Sequence, residues 1–488
     1  MESQTNPAWE TLLGPDGSRP GPLHERVRNA LRAAIRNGRL GAGSALPPSR
    51  RLATDLGCSR WVVTEAYAQL VAEGYLEARP GSATRVRATQ GVAVPPATPS
   101  PLPAPAPRFD LAPGLPDLRA FPRRRWADAI RAEATTIPFA ELGLPPPGGH
   151  PRLRGVLAEY LGRARGAAAG AEDVTVCTGV SDGVTRLCRA LAGAGIGRLA
   201  VEDPGWTRLR QAAAGTGMEV VPVPVDADGL NVADLRRSGA RAVIVTPAHQ
   251  FPTGAVLAPA RRTELLAWVR QADGLILEDD YDAEFRYDRR PVGTLQGLTP
   301  SRVALLGSVS KTLSPALGIG WIVAPTRWTA TLRAEVAAAR PPTIDQLAFA
   351  TFLERGWYDR NLRTARQRYG ARRDALVRQL AWRLPGYRIS GAAAGLHLLL
   401  ELPPDVDAAA VVAAARPRGL RLADLGRYHV DSHHTGNGLV LGYGNLADGA
   451  VARTVAELTA AVLATSTLAA SQTNRAGRVR GQRRSPRK

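Results

Sequence analysis

Lys311 is one of only two lysines in a chain with 63 basic residues, and the other, Lys488, is its last residue. Arginine supplies nearly all the positive charge, so a position that keeps lysine asks for something arginine cannot give. Arginine stays protonated, whereas a buried amine can lose its proton and attack a carbonyl carbon. Hydroxyls flank it in Ser308-Val309-Ser310-Lys311-Thr312. Four other segments carry groups that suit a ligand. Gly179-Val180-Ser181-Asp182 opens a predicted helix, where free backbone amides would hold a phosphate. Trp206-Thr207-Arg208 offers an aromatic face and a cation. Residues 246–254, TPAHQFPTG, read as a polar loop. Glu278-Asp279-Asp280-Tyr281-Asp282 sets an acidic cluster around one phenol.

These segments follow strands. Short apolar runs lie at Val174–Cys177, 199–202, 220–225, Ala242–Val245, 275–278, 303–306 and Gly320–Val323, with helical stretches such as 181–192 and 263–272 between them. Such alternation predicts an α/β domain with a doubly covered, mostly parallel sheet. Ligands bind such sheets at the carboxyl ends of the strands, where all five segments fall. A carboxylate for a pyridinium nitrogen, a phenol for a ring oxygen and a lysine for an aldehyde are what pyridoxal 5'-phosphate (PLP) requires. An acidic cluster alone also suits a metal or a solvated edge. The stretch 356–466, with strands at 395–402 and Gly438–Gly442 and a final helix near 447–464, predicts a smaller α+β subdomain closing over the site. His397, His429, His433 and His434 lack ligand spacing, and no metal is expected.

A Pro/Ala-rich stretch, 88–108, reads as a linker. It divides the 109–466 domain from a module at 20–87. In that module Leu23, Val27, Leu31 and Ile35 recur at helical spacing. A short helix over 49–56 follows, and Ser59 is a suitable N-cap for the next. Val62, Val63, Ala66, Tyr67, Leu70 and Val71 form that helix's apolar stripe. Residues 75–78 and 84–87 then read as a two-stranded wing. This is the order of a winged helix-turn-helix, mainly α with a β wing, whose second helix enters the DNA major groove. The net charge of +20 suits such a polyanionic partner. Residues 467–488 read as a basic, disordered tail. No run of about 18 apolar residues predicts a membrane span. No secretory signal is read, and three cysteines without ligand spacing suit a reducing cytoplasm.

Residues 20–87 resemble the GntR family of winged-helix regulators in Leu46-Pro47-Pro48-Ser49-Arg50, Ser59-Arg60, Ala66-Tyr67 with Leu70, Glu73-Gly74-Tyr75-Leu76 and Arg79-Pro80-Gly81-Ser82. The resemblance implies contacts to double-stranded operator DNA by Arg50, Ser59, Arg60, Trp61, Thr64 and Gly81. Trp61 and Ala83 depart from the small polar residue and the second glycine usual there. Residues 109–466 resemble a fold-type-I aminotransferase. The whole chain resembles the MocR/GabR subfamily of GntR regulators, on Glu202-Asp203-Pro204-Gly205, the 246–254 loop, the segment 278–287 and Ser310-Lys311-Thr312-Leu313.

By that resemblance Lys311 holds PLP as a Schiff base. Asp279 pairs with the ring nitrogen, with Asp280 as the alternative. Tyr281 bonds the ring oxygen, and Trp206 stacks on the ring. Ser308, Ser310 and the amides of Gly179, Val180 and Ser181 hold the phosphate. Arg208 and Arg427 are candidates for an effector carboxylate, as of an amino acid, and the assembly is a head-to-tail homodimer. Gly318 stands where the family has a phosphate-binding arginine, a loss of about 1.5–3 kcal/mol unless another arginine such as Arg302 substitutes. An anionic Asp182 beside that phosphate is unfavourable unless it turns away. The leading reading is a PLP-responsive transcriptional regulator. Its alternatives are an active aminotransferase with an accessory DNA module, and a DNA-binding dimer whose aminotransferase-like domain has no cofactor.

Overall fold

The computed structural model describes residues 21–79, 82–87, 106–287, 292–334, 339–391, 393–430 and 436–481, without side chains beyond 466. Two compact units meet in sequence between Ala104 and Pro105. Most of the linker expected at 88–108 lies outside the described residues.

In the first unit, α1 (Leu23–Arg36), α2 (Ser49–Asp55) and α3 (Arg60–Ala72) enclose a core of Leu31, Ala34, Leu52, Val63, Ala66 and Leu70. Ser59 is the N-cap of α3, although its side chain makes no capping hydrogen bond. Tyr67 donates its hydroxyl to the Pro47 carbonyl (2.9 Å), fixing α3 against the turn that precedes α2. Val71, expected in the apolar stripe, is exposed instead, because the stripe's buried side is already filled by Val63, Ala66, Tyr67 and Leu70. The wing is β1 (Leu76–Glu77) paired antiparallel with β2 (Arg85–Val86). The segment after α1 also joins it, through a bridge between Ala45 and Arg85.

The second unit begins with β3 (Phe109–Asp110). Its main sheet has eight strands: β4 (Val174–Cys177), β5 (Arg198–Asp203), β6 (Glu219–Asp226), β7 (Gly229–Leu230), β8 (Ala242–Val245), β9 (Leu275–Asp279), β10 (Val303–Ser308) and β11 (Gly320–Val323). Their order is β4-β11-β10-β9-β8-β5-β6-β7. Strands β6, β5, β8, β9 and β10 are parallel; β11 runs antiparallel to both β10 and β4, and β7 to β6. The parallel strands β8 and β9 are buried throughout, which is why they read as unbroken apolar runs. Apolar side chains fill both faces: Leu187, Leu199, Leu277 and Leu306 lie in one cluster, and Val243, Val245, Leu265 and Ile276 in another.

The helices that bear on the site are α4 (Pro151–Arg165), α5 (Val180–Gly193), α6 (Thr207–Ala214) and α7 (Trp357–Arg383). A four-stranded antiparallel sheet, β12 (Ile389–Ser390), β13 (His397–Glu401), β16 (Gly438–Gly442) and β15 (Ala423–Asp424), forms the C-terminal subdomain. β14 (Leu420–Arg421) pairs with β3. The last helix, α8 (Val451–Gly481), runs past 466, where the sequence reading began a disordered tail; only 482–488 lie outside the described residues. Among the described residues no helix is long and apolar enough to cross a membrane.

Candidate functional site

β9 and β10 lie side by side and parallel, with Leu306 opposite Asp279. Their carboxyl ends therefore deliver Asp279 and, three residues beyond β10, Lys311 to one cavity of about 490 Å³. Lys311 Nζ donates to the Gly114 carbonyl (2.5 Å) and lies 5.1 Å from the Trp206 ring centroid. Burial lowers the Lys311 amine below the usual lysine range; Asp279 and Asp282 oppose this, and Arg208 adds to it. That favours the neutral amine that attack on a carbonyl needs.

Asp279 is 6 % exposed, and its Oδ1 has no hydrogen-bond partner. Burial pushes its carboxyl up to about 8, against the pull of Lys311. At neutral pH this burial favours the protonated Asp279 carboxyl, and a cationic ring nitrogen facing it would draw the proton off. Asp280 does not compete for this role. It faces away and takes both Nε (2.7 Å) and Nη2 (2.8 Å) of Arg165. Successive residues at a strand end point to opposite faces, and this separates the two carboxylates.

Gly179 is the N-cap of α5, and Val180 and Ser181 in its first turn line the same cavity. Asp182 also lines the cavity, but its carboxylate is already engaged. Its Oδ2 accepts from Thr178 N (2.9 Å) and Thr178 Oγ1 (3.1 Å), and Arg186 grips both oxygens one helical turn on. Ser308 and Ser310 close this end. Gly318 sits in a left-handed turn (φ 58°), with open space where a side chain would begin. Arg302 cannot take over the missing arginine's contact: it precedes β10 at the end opposite Ser308 and pairs with Asp273. The cation that does reach the cavity is Arg208, which is exposed and makes no hydrogen bond or ion pair among the described residues.

Tyr281 lines the cavity, with its hydroxyl 3.2 Å from His249 Nδ1, which in turn lies 3.0 Å from Asp282 Oδ2. Trp206 is held edge-on by Phe251 (centroids 4.1 Å apart) and stacks over Tyr428 (6.4 Å). Arg427 is not brought in: it is exposed, and its guanidinium lies over Tyr428, 5.6 Å from the ring centroid. Gly114, Phe251 and His397 are among the lining residues to which sequence assigned no role. Gly114 comes from a segment far from the rest, and a Cβ there would stand 2.9 Å from both Lys311 Nζ and Trp206. Phe251 sits inside the loop read as polar. His397, read as a solvated or core histidine, lines the cavity at 3 % exposure with Nε2 unpartnered. His249, Asp282 and His397 bring ligand-type atoms within 4.8 Å of one another, but His249 and Asp282 already serve each other.

The donors fit PLP: an unpartnered buried carboxyl, an amine of lowered basicity, a phenol, an aromatic face and a helix N-terminus lie around one cavity. In the first unit, Arg50, Ser59, Arg60, Trp61 and Thr64 are all exposed about the start of α3. Arg60 Nε reaches Ser49 Oγ (3.4 Å), and Trp61 meets His24 edge-on at 5.3 Å. Gly81 lies outside the described residues.

Comparison with known proteins matches this arrangement. Residues 23–86 match the family of bacterial regulatory proteins, gntR family, and residues 119–430 match aminotransferase class I and II. The probable rhizopine catabolism regulatory protein MocR of Rhizobium meliloti is 33% identical, over 87% of this chain and 90% of its own. The HTH-type pyridoxine biosynthesis transcriptional regulator PdxR of Corynebacterium glutamicum is 33% identical, over 91% and 96%. Among solved structures, an archaeal alanine:glyoxylate aminotransferase superposes with a TM-score of 0.67 at 23% identity, over 72% of this chain and 90% of that one, which speaks for the fold alone. The chain therefore belongs to the MocR-type regulators, in which a GntR helix-turn-helix head is fused to an aminotransferase class I and II domain.

Proposed function

We propose that this regulator binds operator DNA through its winged head and that PLP, held at Lys311, sets that binding. The observation that carries the reading is the buried, unpartnered Asp279 Oδ1 in the same cavity as Lys311. An apolar core would not keep an unsatisfied carboxyl there without a ligand to meet it. When bound, PLP supplies an aldehyde for an amine and an electron-withdrawing ring. Lys311 would be the amine that holds it, and Asp279 would face the ring nitrogen as its carboxylate partner. Tyr281 holds the ring oxygen, and Trp206 excludes water from one ring face. Val180 and Ser181 amides, Gly179, Ser181, Ser308 and Ser310 receive the phosphate. Arg208 is placed for the carboxylate of an amino-acid effector, and Arg427 would have to move to join it.

At the DNA, Arg50, Ser59, Arg60, Trp61, Thr64 and Gly81 contact the operator. The protein acts in the cytoplasm as a head-to-tail homodimer. Two relatives, PdxR and the vitamin B6 salvage pathway transcriptional repressor PtsJ of Salmonella typhimurium, carry names that point to B6 vitamers, which supports PLP as the signal. The complete Lys311, Asp279 and Tyr281 set also favours a second reading, residual transamination. The test is a titration of the full chain with PLP, followed by visible absorbance and by binding to DNA from upstream of its gene. A band that Lys311→Ala removes, together with a PLP-dependent change in DNA affinity, is expected. PLP without effect on DNA binding would refute the regulator reading, and sustained keto-acid turnover would favour the enzyme.

A further inference from the structure

A second cavity of about 230 Å³ lies between α4 and α7, away from the Lys311 pocket, and shares none of its lining residues. Arginines dominate it: Arg163 and Arg165 from α4, and Arg363 and Arg366 from α7. Arg165 is the built element. Its side chain is 2 % exposed, Nε and Nη2 hold Asp280, and Nη1 has no partner. A bare guanidinium nitrogen at that depth is costly unless something meets it. Arg366 spends Nε on the Glu284 carbonyl (2.9 Å). Arg363 makes no hydrogen bond or ion pair among the described residues. Arg163 is neutralised by Asp359 (2.8 Å) and Arg165 by Asp280. Two of the four cations therefore remain unmatched, against the single carboxyl of Glu284. Burial and the nearby Asp280 push that carboxyl up to about 7, so near neutral pH it does not fully cancel them.

We propose that this cavity binds a small oxyanion, of phosphate or carboxylate type, with Arg165 Nη1 at its floor and Arg363 and Arg366 at its mouth. Guanidinium groups recognise both chemistries through paired N–H donors. The volume lies below that of sites for drug-sized ligands, which suits a small anion. The site would also speak to the first one. An anion drawing on Arg165 shares that side chain with Asp280, whose chain neighbour is Asp279. The inference does not rest on PLP being the cofactor.

Equilibrium dialysis of the full chain against inorganic phosphate at fixed ionic strength tests it, with succinate as competitor. Wild type is expected to bind a phosphate that Arg363→Gln weakens roughly tenfold or more. Ser310→Ala, in the other pocket, should leave that phosphate in place. Arg363 is exposed and unpaired, so its variant should keep the wild-type melting temperature, and this is checked in parallel. Displacement by succinate extends the site to carboxylates, and resistance restricts it to phosphate; either result upholds an oxyanion site. Phosphate binding equal in wild type and Arg363→Gln, loss of all phosphate binding in Ser310→Ala, or no saturable phosphate binding overturns it.

Discussion

Replacing Asp279 by asparagine isolates the charge of one buried carboxyl. Its folded pKa is about 8, raised by burial from an unfolded value near 4. A raised carboxyl contributes stability that is fully present below the unfolded value and is lost as pH rises through the folded one. Between pH 7 and 9 the native carboxyl gives up most of its proton while the unfolded one stays ionised. Integrating that release over the two pH units costs the wild type about 1.4 kcal/mol. Asparagine has the shape of the protonated acid and does not titrate. Below about pH 4 the two proteins should therefore be almost equally stable without cofactor, and by pH 6 the variant should already lead by about 2.7 kcal/mol. On going from pH 7 to 9 the variant should gain about 1.4 kcal/mol relative to wild type. Taking the difference between the two proteins removes groups common to both, including Glu202 and Glu278, whose carboxyls are also raised, to about 7. Urea unfolding followed by circular dichroism at pH 6, 7, 8 and 9, without PLP, measures it. Parallel pH profiles would show that Asp279 is ionised throughout and would refute the argument. With PLP present the order should reverse, because asparagine cannot supply the anion opposite a ring cation, and wild type should bind more tightly.

Gly318→Arg should tighten PLP about tenfold or more by restoring a charge-assisted phosphate contact, and leave pyridoxal, which lacks the phosphate, unchanged. Its left-handed φ should cost the variant about 1–2 kcal/mol of stability, read by urea unfolding. Gly114→Ala should crowd Lys311 Nζ and Trp206 at 2.9 Å and weaken PLP binding by visible absorbance, while DNA binding without PLP stays at wild-type level. Arg60→Ala should weaken binding to upstream DNA by about 1–3 kcal/mol if it reads a base. If it holds a phosphate, the loss should be uniform across sequences and the salt slope should fall by about one; fluorescence anisotropy at several salt concentrations separates the two.

Most of the framework could be read along the chain because the central parallel strands β8, β9 and β10 are buried on both faces and so appear as short apolar runs. The order of those runs also placed the loops at one end of the sheet. What stayed hidden depends on direction or on distant partners. The alternation of side chains at the end of β9 separates Asp279 from Asp280, but which faces the cavity follows from Arg165, more than a hundred residues earlier in the chain. Arg186, four residues after Asp182, was within reach of a sequence argument, since such spacing places a cation beside a carboxylate on one helix face. Arg302 was also within reach, since the apolar run predicted at 303–306 already puts it at the end of the strand opposite the site. Gly114 gives no sequence signal at all: its missing Cβ matters only where Lys311 and Trp206 converge on it. The same comparison bears on how a sensor could work. Asp279 is held near neutrality when unliganded and is drawn to an anion by a cationic ring, whereas Asp280 stays locked to Arg165. Of the two carboxylates, it is therefore Asp279 whose charge would change if a cationic ring bound as proposed, while Asp280 would stay paired with Arg165.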